Sequence, residues 1–75
     1  MTSRPLYSIG AVARMLGIAP ATLRTWQERY GLPVPERSPG GHHLYARNQV
    51  EQLRFVKAQV DSGMSSADAH RLLTE

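Results

Sequence analysis

Residues 32–45 read Leu-Pro-Val-Pro-Glu-Arg-Ser-Pro-Gly-Gly-His-His-Leu-Tyr. Pro33, Pro35 and Pro39 remove backbone donors and fix φ, and Gly40-Gly41 follow at once. No helix crosses such a stretch. It leaves two very short extended pieces, around 34–37 and 42–45, closed by Ser-Pro-Gly-Gly. That is the pattern of a hairpin with a longer loop, and its prolines suit an edge strand. An irregular loop is the alternative. Either way, the chain is divided into a helical part before this stretch and another after it.

Before it, Ile9, Val12, Ala13 and Leu16 fall at i, i+3, i+4 and i+7, which predicts a short helix over 8–16. Ser8 suits its N-cap and Gly17 its left-handed stop. Pro20 fits the first position of a second helix, which runs to Tyr30 and stops at Gly31. Leu23, Trp26 and Tyr30 share one face of it with Gln27. Ala21, Arg24, Thr25, Glu28 and Arg29 lie on the rest. Two short helices joined by a Gly-containing turn form a helix-turn-helix, whose second helix enters the DNA major groove. A plain helical hairpin has the same pattern. After the proline stretch, Val50, Leu53, Val56 and Val60 line one face of a helix over 47–62, and Phe55 points almost opposite. The last helix, over 65–74, is therefore expected to cover Phe55. Ser65-Ser-Ala-Asp68 reads as its capping-box-like start, and Leu72 and Leu73 as its docking residues.

Charge separates the same two parts. Residues 1–50 hold six arginines against Glu28 and Glu36, a net +4, whereas 51–75 carry a net −1. A basic first two-thirds suggests a polyanionic partner. A 75-residue chain buries roughly 60% of the surface that its unfolded form exposes, which leaves little room for a deep catalytic cleft. No apolar run approaches the about 18 residues of a membrane span, and the start lacks the apolar core of a signal peptide. With no cysteine, disulfides and thiolate metal sites are excluded. Adjacent His42 and His43 cannot chelate a metal as an i, i+4 helical pair does. His70, beside Arg71, reads as solvated. No catalytic residue and no metal ligand is assigned, and the expected setting is the cytoplasm.

In order, then, the elements are helix-turn-helix, two-stranded wing, long helix and short helix: a mainly α, winged helix-turn-helix fold in one domain. This resembles the DNA-binding domain of the MerR family of transcription regulators, from Tyr7 to about Leu73. Tyr7-Ser-Ile-Gly-Ala-Val-Ala13 is similar to that family's first helix, Ala21-Thr-Leu-Arg-Thr-Trp26 to its recognition helix, and Gly40-Gly-His-His-Leu-Tyr45 to its wing. Trp26-Gln-Glu-Arg-Tyr-Gly31 with Pro33, Pro35, Arg37 and Gly40-Gly41 resembles the subgroup of cobalamin-binding, light-responsive repressors, the CarH/CarA type. In that subgroup a cobalamin-binding module follows this domain. The 75 residues are expected to bind no cofactor themselves, whether they are a cut-out domain or a stand-alone regulator.

The resemblance implies a double-stranded DNA operator as partner and a repressor as function. It places Arg24 and Thr25 near base edges and Thr22 and Arg29 near phosphates. It places Arg37, His42, His43 and Tyr45 on the flanking backbone or minor groove. Trp26 belongs mainly to the core, with its indole N–H within reach of a phosphate. Three positions depart from the family. Ala19 and Ala46 stand where helix-capping serines are usual, so both helices should fray at their starts. His43 stands where arginine is usual. Histidine charges only as pH falls through about 6.5, so a wing contact made by it should tighten on acidification. The isolated chain is expected to be monomeric, pairing at most on DNA. The competing readings are an excisionase-like architectural protein that bends DNA and a protein-binding adaptor.

Overall fold

The computed structural model describes residues 5–74 of the chain. Strand β1 (Leu6–Ser8) leads into α1 (Ile9–Leu16) and α2 (Pro20–Tyr30), followed by β2 (Glu36–Arg37), β3 (His43–Ala46), α3 (Arg47–Asp61) and α4 (Ser66–Arg71). A 3-10 turn over Leu72–Thr74 completes the described residues.

Helix boundaries follow local chemistry. The Ser8 hydroxyl accepts the Ala11 N–H at 3.2 Å and opens α1. At the other end Gly17 has φ +72°. Ile18 N–H then reaches back to the Ala13 carbonyl at 3.0 Å, the closing bond of a Schellman stop. Pro20 occupies the start of α2, and Gly31, at φ +63°, ends it. Neither Ala19 nor Ala46 caps its helix through a side chain. Gln49 makes up part of the loss at α3, where its Oε1 accepts the Ala46 N–H at 2.9 Å. Ser65 Oγ accepts the Asp68 N–H at 3.1 Å and opens α4, as the Ser-Ser-Ala-Asp pattern predicts.

The expected two-stranded wing is one part of a three-stranded antiparallel sheet in the order β1-β3-β2. Glu36 pairs with Leu44 and Arg37 with His43 across the hairpin, while Leu6, Tyr7 and Ser8 pair with Ala46, Tyr45 and Leu44. The missed strand is β1. It is three residues long and pairs with residues far along the chain, so no local alternation announces it.

One core joins all of this. Val12, Ala13 and Leu16 of α1, Leu23 and Trp26 of α2, Tyr45 of β3, Val50, Leu53 and Val56 of α3 and Ala69 of α4 form a single buried cluster. Tyr7, Ile9, Ile18 and Tyr30 pack against its edge. Phe55 was expected under the last helix but is 42% exposed. α4 packs on α3 and reaches α2, which is the core side of α3, and leaves the opposite face open. Helical periodicity says that a residue lies on the far face, not from which side a neighbour arrives. His70 was expected in solvent and is instead 1% exposed.

Candidate nucleic-acid interface

The inner face of α2 is fixed by burial of Leu23 and Trp26, and that fixes what its outer face offers. Ala21, Thr22, Arg24, Thr25, Glu28 and Arg29 are all exposed. Arg24 and Glu28 are one helical turn apart, yet no ion pair joins them. The Arg24 guanidinium therefore remains available to an outside partner.

The wing tip is closed by its own backbone. Ser38 N–H donates to the His42 carbonyl at 2.9 Å, and Gly41 N–H to the Ser38 carbonyl at 2.8 Å. Ser38 Oγ accepts the His42 N–H at 3.2 Å. Gly41 sits at φ +82°, a conformation that L side chains rarely adopt, so this position needs glycine. The reversal turns His42 outward and leaves His43 half-buried.

A hydrogen bond ties the wing to α2. On a strand, residues two apart share a face, so His43 and Tyr45 look to the same side of β3. The Tyr45 hydroxyl donates to Gln27 Oε1 at 3.0 Å. One pleat nearer the tip, His43 enters a cleft whose lining includes Arg24, Gln27, Glu28, Gly41 and His42. A smaller adjoining cleft carries Arg24, His42 and His43 to Ser8 and Gly10 at the start of α1. Recognition-helix and wing residues predicted separately thus meet in one groove. Thr22 and Thr25 are exposed on α2 but line neither cleft, and Arg29 lines a separate one with Tyr30, His70 and Arg71. Arg37 stands opposite His43 on β2.

Tyr45 is placed differently from expectation. Its ring is 1% exposed and belongs to the core, because β3 is the central strand and its inner face looks onto α1 and α3. Burial raises its phenol above the ordinary value of 10.0, so the hydroxyl stays protonated and donates to Gln27. Trp26 is core, as the helical pattern indicates. Sequence reasoning missed Gln27 as the partner of the wing. It also missed His70, whose ring stacks on Tyr30 at 4.3 Å between centroids and meets Trp26 edge-on at 5.1 Å. The spacing of Ser66 and His70, one turn apart on α4, was the only local signal for the latter. No group of three or more His, Asp or Glu side chains among the described residues is placed to hold a metal.

A helix-turn-helix whose exposed second helix meets a glycine-tipped wing defines a class, and the sequence comparisons agree with it. The model of the MerR HTH family regulatory proteins matches residues 7–75, and the chain belongs to that family. It is 42% identical over 69 residues to the HTH-type transcriptional regulator MlrA of Escherichia coli K12, covering 92% of this chain and 28% of MlrA. It is 44% identical over 63 residues to the HTH-type transcriptional repressor CarA of Myxococcus xanthus, covering 81% of this chain and 22% of CarA. The chain thus spans about a quarter of the length of these curated relatives. The solution structure of the CarA N-terminal domain superposes with a TM-score of 0.80 at 39% identity, over 97% of this chain and 93% of that one. HiNmlR, a MerR family regulator lacking the sensor domain and crystallised on promoter DNA, superposes with a TM-score of 0.79 at 25% identity. That match covers 91% of this chain and 52% of HiNmlR.

Proposed function

We propose that these residues are the operator-reading domain of a MerR-type transcription regulator that acts as a repressor. The observation that carries the reading is the shared groove: Arg24, without an ion pair, stands beside His42 and His43 of the wing. Arg24 and Thr25 read base edges, Thr22 and Arg29 hold phosphates, and Arg37, His42 and His43 grip the flanking backbone. Tyr45 acts from inside, holding the wing on α2. HiNmlR on promoter DNA and the repressor CarA support the partner and the sign of regulation. The domain works in the cytoplasm, as a monomer off DNA. Among its described residues no helix is long and apolar enough to cross a membrane.

This reading gives these residues no cofactor.

The test is binding to duplex DNA as salt is varied. Each phosphate contact should steepen the fall of log K with log salt. Arg37→Ala should weaken specific and random duplexes alike and lower that slope by about one unit. Binding that is indifferent to salt would replace this reading with a protein-binding adaptor. Cooperative bending of repeated sites would replace it with an architectural protein.

A further inference from the structure

His70 is buried on α4, away from the groove, and is the point at which α4 meets the recognition helix. Its ring lies flat on Tyr30, with centroids 4.3 Å apart and planes at 25°, and presents an edge to Trp26. Nδ1 is 2.7 Å from the Ser66 carbonyl oxygen. A carbonyl only accepts, so Nδ1 carries the proton and Nε2 is a bare lone pair. That Nε2 is buried without a partner. One turn back, Ser66 Oγ and the Tyr30 hydroxyl share a hydrogen bond of 2.9 Å.

We propose that His70 is a positioning residue for DNA reading: its neutral ring, wedged against Trp26 and Tyr30, holds the back of α2 at the tilt that presents Arg24 and Thr25. The proposal rests on the operator-reading function above. α2 has no side-chain cap at its start, so its orientation depends on what its inner face rests on. Leu23 and Trp26 supply the core part of that support, and the last turn is held through Tyr30 by α4.

The joint works only with an uncharged ring. A second proton would place an N–H on Nε2 where no acceptor exists. The cleft beside the ring brings Arg29 and Tyr30 from α2 and Arg71 from α4, and α3 adds no residue to it. Arg71 is itself paired with Asp68. Burial, opposed by the hydrogen bond to Ser66, lowers the proton affinity of His70 below the ordinary 6.5. As pH falls below that value the unfolded chain takes up the proton before the folded one. The joint is therefore intact above pH 6.5 and is lost as pH falls towards the depressed folded value.

The experiment has two arms, both on the whole chain. The first uses no DNA. Thermal melts and the emission of Trp26, the single tryptophan, are followed from about pH 7.5 to about pH 5. The parent should lose melting temperature and shift its emission over that range, and His70→Phe, which keeps a ring and cannot charge, should do so much less. The second arm measures binding near pH 7.5 to duplexes enriched by the parent from a random-sequence pool, and to the unenriched pool. His70→Ala should lose about tenfold on the enriched duplexes with little change on the pool, and His70→Phe should restore the loss. His70→Asn keeps a donor for Ser66 without the ring, should lose affinity as His70→Ala does, and serves if the alanine variant does not fold. Parallel acid profiles for the parent and His70→Phe would overturn the proposal. So would a folded His70→Ala or His70→Asn that holds the enriched duplexes as tightly as the parent. A parent that enriches no duplex removes the DNA-reading function and the positioning role with it, while the first arm still separates that failure from loss of the joint.

Discussion

The two halves of the molecule treat their charged side chains in opposite ways. On α3 and α4 every lysine and arginine after Arg47, which opens α3 without an ion pair among the described residues, has a nearby acid: Arg54 with Glu51 at 3.3 Å, Lys57 with Asp61 at 2.6 Å, and Arg71 with Asp68. In the helix-turn-helix and wing, Arg14, Arg24, Arg29 and Arg37 have no ion pair among the described residues. Exposed pairs of the first kind contribute about 0–1 kcal/mol each, so stability does not explain the contrast. What the pairs do is cancel charge locally. The field of the chain is then concentrated on the side that lacks them, where a polyanion would be steered.

Although the halves differ in charge, they share one core, and the largest expected effect probes that. Leu23→Ala should destabilise the domain by about 2–5 kcal/mol, a large part of the about 5–15 kcal/mol that holds a typical domain. Thermal melts should show one transition moving as a unit. A first half melting alone would break the picture of a common core. Next in size is the pair Arg24→Ala and Arg54→Ala. The first should weaken specific DNA binding by about 1–3 kcal/mol, and the second should leave it almost unchanged, in fluorescence anisotropy titrations of one duplex. Equal losses would erase the division between the halves. Ala19→Ser supplies α2 with the cap that α1 already has and should add about 0.5–2 kcal/mol in urea unfolding. The smallest effect is Lys57→Ala, which should cost about 0.3–0.5 kcal/mol in the same unfolding curves.

The helices were legible because their signals are local. The stripe Ile9, Val12, Ala13, Leu16, the stops at Gly17 and Gly31, and Pro20 all act within a turn of themselves, and the structure follows them closely. The wing was legible as a reversal, since prolines and glycines left no alternative. Harder to read was anything set by distant partners. Tyr45 looked like a wing residue until β1 on one side and β2 on the other made its strand central and buried its ring. His70 looked solvated beside Arg71, because Tyr30 and Trp26 lie some forty residues earlier and no periodicity links them to a six-residue helix. Phe55 was assigned a cover that α4 does not provide. Among the site residues, the exposed face of α2 could be read from helix geometry alone. The meeting of Arg24 with His42 and His43 could not, because it depends on the bond from Tyr45 to Gln27.

Strand β1 also adds a long-range closure to the assembly of the molecule. The hairpin joining Arg37 to His43 closes a loop of a few residues, whereas pairing Leu6 with Ala46 closes one of about forty. Closure entropy grows with the logarithm of loop length, so the second pairing costs about 2 kcal/mol more than the first. The entire helix-turn-helix lies inside the larger loop. Both of its helices and the hairpin can form from neighbours in the chain, before the first strand closes against the third. Closing the first strand is therefore among the costlier steps in assembling this domain, level with the joint of Tyr30 and His70, which spans about forty residues as well.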